Sequence, residues 1–483
     1  IQSSDNWFIP PFESPHHKTL GSYWFIALSL KLFGNSELAT RLPSILSSFL
    51  CLISSYLIAL KITNKKSALI SLFSLSSMPL WIQYSRYASP DIPFVLCILL
   101  VIFFFLKSLD SSRFISEHFY IFLSGLFIST SFFIRSYMSF VPLIGLSPFL
   151  FYNLYKKGNI FKVIFCSGIL IGSIPTLLNL YYSFQKYGTS GLTSLFDFAK
   201  NQAIGELAFN NLFFLPLNFL YLTFPIGLIL FILYVFTRLN YIVNYPLLIY
   251  CYPFLSLVIL LCMSTSYPHY YLFLLPSLSI LFGVSLTSSK FRFSFSKIYI
   301  KYLLFIFIIS ISFILLFFIV NYKDLFIEYA YKNSLIFYIA SSFLLLSYIT
   351  SIRFLFDTRN YHFNLINFFY NIVIPQYISL SLLFNFGILG NPNLNTKLFL
   401  RDEVVSSIIS SNTIYLFRVD SKIQTLLSYY LPYSKVVYNV NEINSYKYVI
   451  TSDINSLKNL NKKLFFKSIK KFDNQFLLIN ISK

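Results

Sequence analysis

The side chains in this sequence that could do chemistry are few, and they stand at the ends of long apolar runs: Lys18, Arg86, Asp91 and Arg135, with Glu13, His16, His17, Tyr137, His269, Tyr270 and Tyr271 in comparable places. If the runs cross a bilayer in alternation, all of these fall on one side of it. Three cations on one face, Lys18, Arg86 and Arg135, can converge on a phosphate or pyrophosphate through charge-assisted hydrogen bonds. Each taken singly also fits a plainer role, with its stem along apolar surface and its charge in water. Asp91 follows Pro90 in SRYASPDIPF. There a carboxylate either complements the positive end of a helix or holds Arg86 or another cation in place. Asp91 is also the candidate catalytic carboxylate, a role that needs hydrogen-bond reach to the proton it takes. His269, Tyr270 and Tyr271 follow Pro268 at another such end. Their aromatic rings suit either a pocket or an anchor at the membrane interface. The pair His16 and His17 could ligate a divalent metal, but no third ligand is evident, so the ligand pattern does not support one.

The elements that position these groups follow from composition. Of 483 residues, 56% are apolar and 20% aromatic, with 58 Phe and 37 Tyr, while only 11% are charged. A soluble domain averages about 25% charged residues. This excludes a disordered chain and points to an all-α polytopic membrane protein. The net charge of +20 would suggest nucleic acid in a soluble chain, but here the cations flank apolar runs, so no nucleic acid is expected. The five cysteines, Cys51, Cys97, Cys166, Cys251 and Cys262, all lie inside apolar runs and show neither a disulfide framework nor a zinc pattern.

Runs long enough to span fall at about residues 42–62, 67–84, 92–107, 118–134, 137–154, 161–182, 212–236, 245–263, 269–287, 302–321, 334–351 and 366–390, twelve in all. One alternate set of linkers carries fifteen Lys and Arg, from Lys61 to Arg359, and the other carries six. The first set is therefore cytoplasmic, and Lys18, Arg86, Asp91, Arg135 and His269 face outward, to the periplasm in a bacterium. No span has an ionisable residue near its middle, which argues against a proton relay or an ion-coupled pump. The loop 183–211 spaces Leu192, Leu195, Phe196, Ala199, Ala203 and Leu207 as an interfacial helix would.

From about residue 396 the character changes, to 13 Lys or Arg against 6 acidic residues and short β-rich runs, NTIYLFRV, KVVYNV, YKYVITSD and NQFLLINIS, with SKIQTLLSYYL reading as a helix between the first two. The expected organisation is a first outer loop over 1–41, a membrane domain over 42–390 and a small α/β domain over 391–483 on the outer face. That last domain has no phosphate loop and no cluster of catalytic residue types.

The opening stretch SSDNWFIPPFESPHHKTLGSYWFIALSLKLFGNSELATRLPSIL resembles the first outer loop of the lipid A aminoarabinose transferases and their protein O-mannosyltransferase relatives, C-type integral-membrane glycosyltransferases. Asp5, Trp7, Pro10, Lys18, Tyr23, Trp24, Phe33, Gly34 and Arg41 fit that pattern. SRYASPDIPF is similar to its "R/Y-A-x-x-D" element, FFIRSYMSFVPLIGL to "LTKGPLALLLP", FFLPLNFLYLTFP to "YYLPVLLLGFFPW" and SYPHYYLFLLPSLSIL to "KLPHYLLPLLPALAL". The similarity runs in order over about residues 3–285. It implies that Lys18 and Tyr270 contact the donor phosphate, that Asp91 matches the family's carboxylate at the start of its span, and that Arg135 stands where the family has Lys. It further implies a thirteenth span and an acidic Asp-Glu pair upstream of Asp5, so the sequence reads as truncated at its N-terminus. His17 stands where some relatives have a Glu that ligates metal, which counts against a zinc site.

The activity expected is transfer of a sugar from a polyprenyl-phosphate donor to a lipid, glycan or protein acceptor at the outer face of the inner membrane, with inversion at the anomeric carbon. Its rivals are a polymerase or ligase of lipid-linked glycans and a polysaccharide or lipid transporter. A transporter calls for inverted repeats and polar groups at mid-membrane, and the sequence shows neither.

Overall fold

The computed structural model describes residues 6–9, 15, 18–203, 223, 245–263, 267–287, 334–356, 369–386, 396, 399–400, 402–419, 421–431, 434–437, 448–451, 466–472 and 475–480. The chain divides into two compact units, Ile1–Phe386 and Gly387–Lys483.

The described residues of the first unit are mostly helical. Helix α1 covers Gly21–Phe33, α2 Glu37–Ile62, α3 Lys65–Ser77, α4 Pro79–Tyr84, α5 Asp91–Asp110, α6 Phe114–Arg135, α7 Phe140–Lys156, α8 Asn159–Tyr187 and α9 Ser190–Ala203. A π-helical turn, Leu247–Cys251, leads into α10, Tyr252–Cys262, and a 3-10 segment, Pro268–Leu274, into α11, Leu275–Thr287. Then come α12, Ser334–Phe356, and α13, Ile374–Asn385. Among the described residues, four helical stretches, Glu37–Ile62, Asp91–Asp110, Phe114–Lys156 and Asn159–Tyr187, are long and apolar enough to cross a bilayer. The expected spans at 212–236 and 302–321 lie outside the described residues. The run 67–84 is not one continuous helix: Pro79 has no N–H to donate and pushes the preceding residue out of helical geometry. Met78 accordingly sits at φ −69°, ψ 130°, and α3 and α4 part there.

Small residues rather than large ones set the closest contacts, as in membrane bundles generally. On α8 the buried positions are Phe161, Phe165, Gly168, Gly172, Thr176, Asn179 and Ser183, whereas Leu170, Ile171, Ile174, Leu177, Tyr181 and Phe184 are exposed. A methyl group on Gly125 of α6 or Gly168 of α8 would run into the facing backbone, at Phe165 and Phe122 respectively. Buried serines tie neighbouring helices to each other's carbonyls: Ser129 Oγ donates to Ile169 O at 2.6 Å and Ser124 Oγ to Val101 O at 3.0 Å. Each such bond satisfies a polar group that lipid could not.

The second unit is a small α/β domain: α14 Glu403–Ser411, β1 Ile414–Phe417, α15 Ser421–Tyr430, β2 Ser434–Val437, β3 Tyr448–Thr451, β4 Phe466–Phe472 and β5 Gln475–Asn480. The sheet order is β2-β1-β3-β5-β4. β1 runs parallel to β2 and β3, and β5 is antiparallel to β3 and β4. The central strand β3, buried at every position, is built of aromatic and β-branched residues, Tyr448, Val449, Ile450 and Thr451. Its core joins Phe399, Val405, Ile414, Leu416, Leu427, Ile450 and Leu477.

Candidate functional site

Helices α5 and α6 are 20 and 22 residues long, about 30 and 33 Å at 1.5 Å per residue. They pack side by side and are joined by the short linker 111–113, so the first residue of α5 comes level with the last of α6. The first is Asp91 and the last Arg135. Their side chains meet as an ion pair, Arg135 Nη2 to Asp91 Oδ1 at 2.8 Å, with only 13% and 7% of the two side chains exposed. Each charge also suits its helix end, the carboxylate at the positive end and the guanidinium at the negative one. No side-chain cap hydrogen bond is made at the start of α5, where Pro90 is the cap residue.

Lys18 is brought to this pair by its own neighbours. Thr19 Oγ1 donates to Phe132 O at 3.4 Å. Gly21 lies so close to α6 that a Cβ there would be 2.6 Å from Phe133 O. The start of α1 is thus seated on the last turn of α6, a few residues from Arg135. Trp24 locks the contact: its ring meets Phe133 edge-on at 5.0 Å and its Nε1 donates to Trp7 O at 2.8 Å. Asn179 of α8 reaches the same N-terminal stretch, its Nδ2 donating to Phe8 O at 3.3 Å. Lys18 keeps part of its side chain in solvent. Partial burial and then the positive charge of Arg135 lower its pKa from 10.5, against the opposing pull of Asp91.

The 3-10 segment Pro268–Leu274 packs on α4 and α5. It lays the Tyr270 ring 5.9 Å from the Arg135 guanidinium, a cation–π contact. It also sets His269 Nδ1 3.4 Å from Tyr84 Oη. Asp91, Arg135 and Lys18 all act electrostatically on His269.

The residues expected to bind phosphate therefore divide. Lys18, Arg135 and Tyr270 share one neighbourhood with Asp91 and His269. Arg86 does not join them: its Nη2 donates to Phe384 O at 3.1 Å and its guanidinium stacks on the Phe384 ring at 5.7 Å. The last turn of α13 exposes carbonyls that no helical N–H satisfies, and a guanidinium beside it answers that need. The charged side chain that acts most on Arg86 is Arg41. Tyr271 is 4% exposed and belongs to the apolar core. His17, with His16 and Glu13, lies outside the described residues. Among the described residues no three His, Cys, Asp or Glu side chains gather as metal ligands would. The sequence reading missed Tyr84, whose position at the end of an apolar run before SRYASPD was the available signal. It also missed Gly21 and Trp24 as the groups that seat Lys18.

Ser136, directly after Arg135, has φ 57° and ψ −141°. That region is open to glycine and costs other residues about 1 to 3 kcal/mol. In the motif "LTKGP" the matching position is indeed Gly. Glycine gives back about 0.5 to 1 kcal/mol through its freer unfolded chain. Ser136→Gly is therefore expected to stabilise the protein by about 1 kcal/mol net, read as a higher midpoint of thermal unfolding in detergent. An unchanged or lower midpoint would show that the backbone here is not under strain.

Three comparisons bear on this arrangement. Residues 17–182, which contain Lys18, Asp91 and Arg135, match the model of the family described as dolichyl-phosphate-mannose-protein mannosyltransferase. A stretch of 83 residues is 37% identical to an uncharacterized protein of Aquifex aeolicus (strain VF5) and spans 17% of this chain and 17% of that relative. Among solved structures the chain is similar to ArnT from Cupriavidus metallidurans in the apo state, with a TM-score of 0.71 at 15% identity, over 100% of this chain and 91% of that one. It is similar also to the same protein bound to undecaprenyl phosphate, with a TM-score of 0.70 at 14% identity, over 99% and 91%. The chain thus has the fold of ArnT, and its residues 17–182 carry the sequence pattern of the dolichyl-phosphate-mannose-protein mannosyltransferase family.

Proposed function

We propose that this protein is an integral-membrane glycosyltransferase that takes a sugar from a polyprenyl-phosphate donor and passes it, with inversion, to a lipid, glycan or protein acceptor at the outer face of the membrane. The observation that carries this reading is the shared neighbourhood of Lys18, Arg135 and Asp91 at one end of the bundle. It falls inside the stretch that matches the mannosyltransferase family, in a fold whose relative was crystallised with undecaprenyl phosphate.

The chemistry follows from charge. As the bond from the sugar C1 to the phosphate oxygen breaks, its electron pair stays on the phosphate, which gains negative charge. Cations already in place stabilise that state more than the ground state. Lys18 and Arg135 are those cations, and with Asp91 they leave an excess of one positive charge where the phosphate docks. The acceptor oxygen attacks C1 from the opposite face and its proton goes to a base on that side. Asp91 is a positioning residue in this scheme. With Oδ1 2.8 Å from the Arg135 guanidinium, it is better placed to aim that cation than to collect the acceptor's proton. Tyr270, its ring 5.9 Å from the Arg135 guanidinium, helps to hold it.

In the segments that qualify as spans, charged side chains stand at the ends or at the α6–α7 junction, which favours surface chemistry over ion-coupled transport. The test reconstitutes the protein in liposomes with a radiolabelled polyprenyl-phosphate sugar and follows release of polyprenyl phosphate together with label in lipid, glycan and protein fractions. Release that depends on Lys18 and Arg135 supports the proposal. Movement of intact donor across the bilayer without release would make the protein a transporter, and label added only to an already polymerised lipid-linked glycan would make it a polymerase or ligase.

A further inference from the structure

A cleft of about 440 Å³ lies between α2, α3 with α4, and α13, away from the Lys18 and Arg135 neighbourhood. Its size is that of a ligand cavity, about 300 to 1,000 Å³. Its lining is graded. Ser85, Arg86 and Asn385 stand at one end, and the remainder is mainly apolar, with Leu52, Phe73 and Ile374 interrupted by the small hydroxyls of Ser48, Ser76 and Ser381. The helices fix the direction of that gradient. Ser44 of α2 donates to Ser89 O at 3.2 Å, so Ser44 is level with the loop that leads to Asp91, and Leu52 lies about 12 Å deeper along the same helix. Ile374 is likewise about 16 Å down α13 from Asn385. The cationic end is thus the end of the bundle that carries Asp91, and the apolar part descends into the membrane. Tyr377 lines the cleft and is 50% exposed, so the cleft reaches the outer surface of the bundle.

We propose that this cleft holds one chain of a phosphate-headed membrane lipid, with the phosphate against Arg86, as a site separate from the one for the sugar donor. Arg86 spends one N–H on the Phe384 carbonyl, and a guanidinium has five to give. Arg41 acts electrostatically on Arg86, but its charge is matched by Glu37 at 2.9 Å, so Arg86 is the cation that meets the headgroup. Free phosphate gains nothing from the mainly apolar lining below Arg86, and an uncharged lipid gains nothing from Arg86. An amphiphile with an anionic head uses both. The separation from the donor site rests on partners and lining: Arg86 donates to Phe384 O whereas Arg135 pairs with Asp91, and neither Lys18, Asp91, Arg135 nor Tyr270 lines the cleft.

The test is native mass spectrometry of the full chain released from a neutral detergent, titrated with dioleoyl phosphatidic acid, dioleoyl phosphatidylcholine or inorganic phosphate. It is run in the Lys18→Gln protein to weaken the other site, so its result does not depend on whether the protein transfers sugar. One phosphatidic acid is expected to bind per chain. Adding Arg86→Gln should weaken binding at least about tenfold, as loss of a charge-assisted phosphate contact does. Ser381→Phe, which narrows the cleft and leaves Arg86 in place, should weaken it similarly with an unchanged circular dichroism spectrum. Equal binding with and without Arg86, phosphatidylcholine binding as tightly as phosphatidic acid, or inorganic phosphate competing at equal concentration would each overturn the proposal.

Discussion

Asp91→Ala is expected to destabilise the folded protein by about 3 to 5 kcal/mol, because removing one partner of a buried ion pair leaves the other charge buried and uncompensated. Arg135 is the charge left behind, with 13% of its side chain exposed. The measurement is the thermal or denaturant midpoint in detergent, set beside donor turnover. Asp91→Asn keeps a hydrogen-bond acceptor for Arg135 and should lose less stability. The informative comparison is the double variant Asp91→Ala with Arg135→Leu. Replacing a whole buried pair by apolar groups is often neutral, so the double variant should recover much of the lost stability. It should recover no activity if Arg135 is the cation that receives the leaving phosphate, as proposed. If Asp91→Ala is as stable as the parent, the pair does not hold α5 to α6. If the double variant transfers sugar at the parent rate, Arg135 has no part in the reaction.

Lys18→Ala is expected to slow donor-dependent transfer at least about tenfold, from the loss of about 1.5 to 3 kcal/mol in a charged hydrogen bond. Its pH signature is the sharper test. Only the protonated amine grips phosphate, and burial together with Arg135 lowers the pKa of Lys18 below 10.5. Affinity for the donor should therefore be level at neutral pH and fall on the alkaline side sooner than an ordinary lysine would allow. Lys18→Arg, whose guanidinium stays charged, should abolish that fall. A profile that is the same for lysine and arginine at position 18 would remove Lys18 from the phosphate site.

Which features the sequence revealed depended on how local they are. The run 92–107 became α5 and 161–182 became α8, since about 20 apolar residues are a signal confined to one segment. The strand runs around Ile414, Val436, Tyr448 and Leu477 were legible for the same reason. Strand β4 was not: FKSIKKF is rich in lysine, as suits a strand at a sheet edge that must resist pairing with other chains, and it does not read as a strand. Asp91 was visible as a carboxylate holding a cation, but which cation depended on packing. Arg86 is five residues away in sequence and turns to α13, whereas Arg135 is distant in sequence and meets Asp91 because two helices of nearly equal length fold back on each other. Gly21 carries no chemical signal, and its importance lies only in the backbone of Phe133 across from it.

Helix α8 has its polarity reversed relative to a helix in a water-soluble protein, and this changes how sequence variation in it should be interpreted. Its outward leucines and isoleucines meet a fluid that accepts almost any hydrocarbon shape, so exchanges among apolar types at Leu170 or Leu177 should drift nearly freely. The narrow inward file of Gly168 and Gly172 meets the backbone of α6, at Phe122 and Leu126. For this helix, the oiliest positions are the most replaceable and the smallest side chains the least.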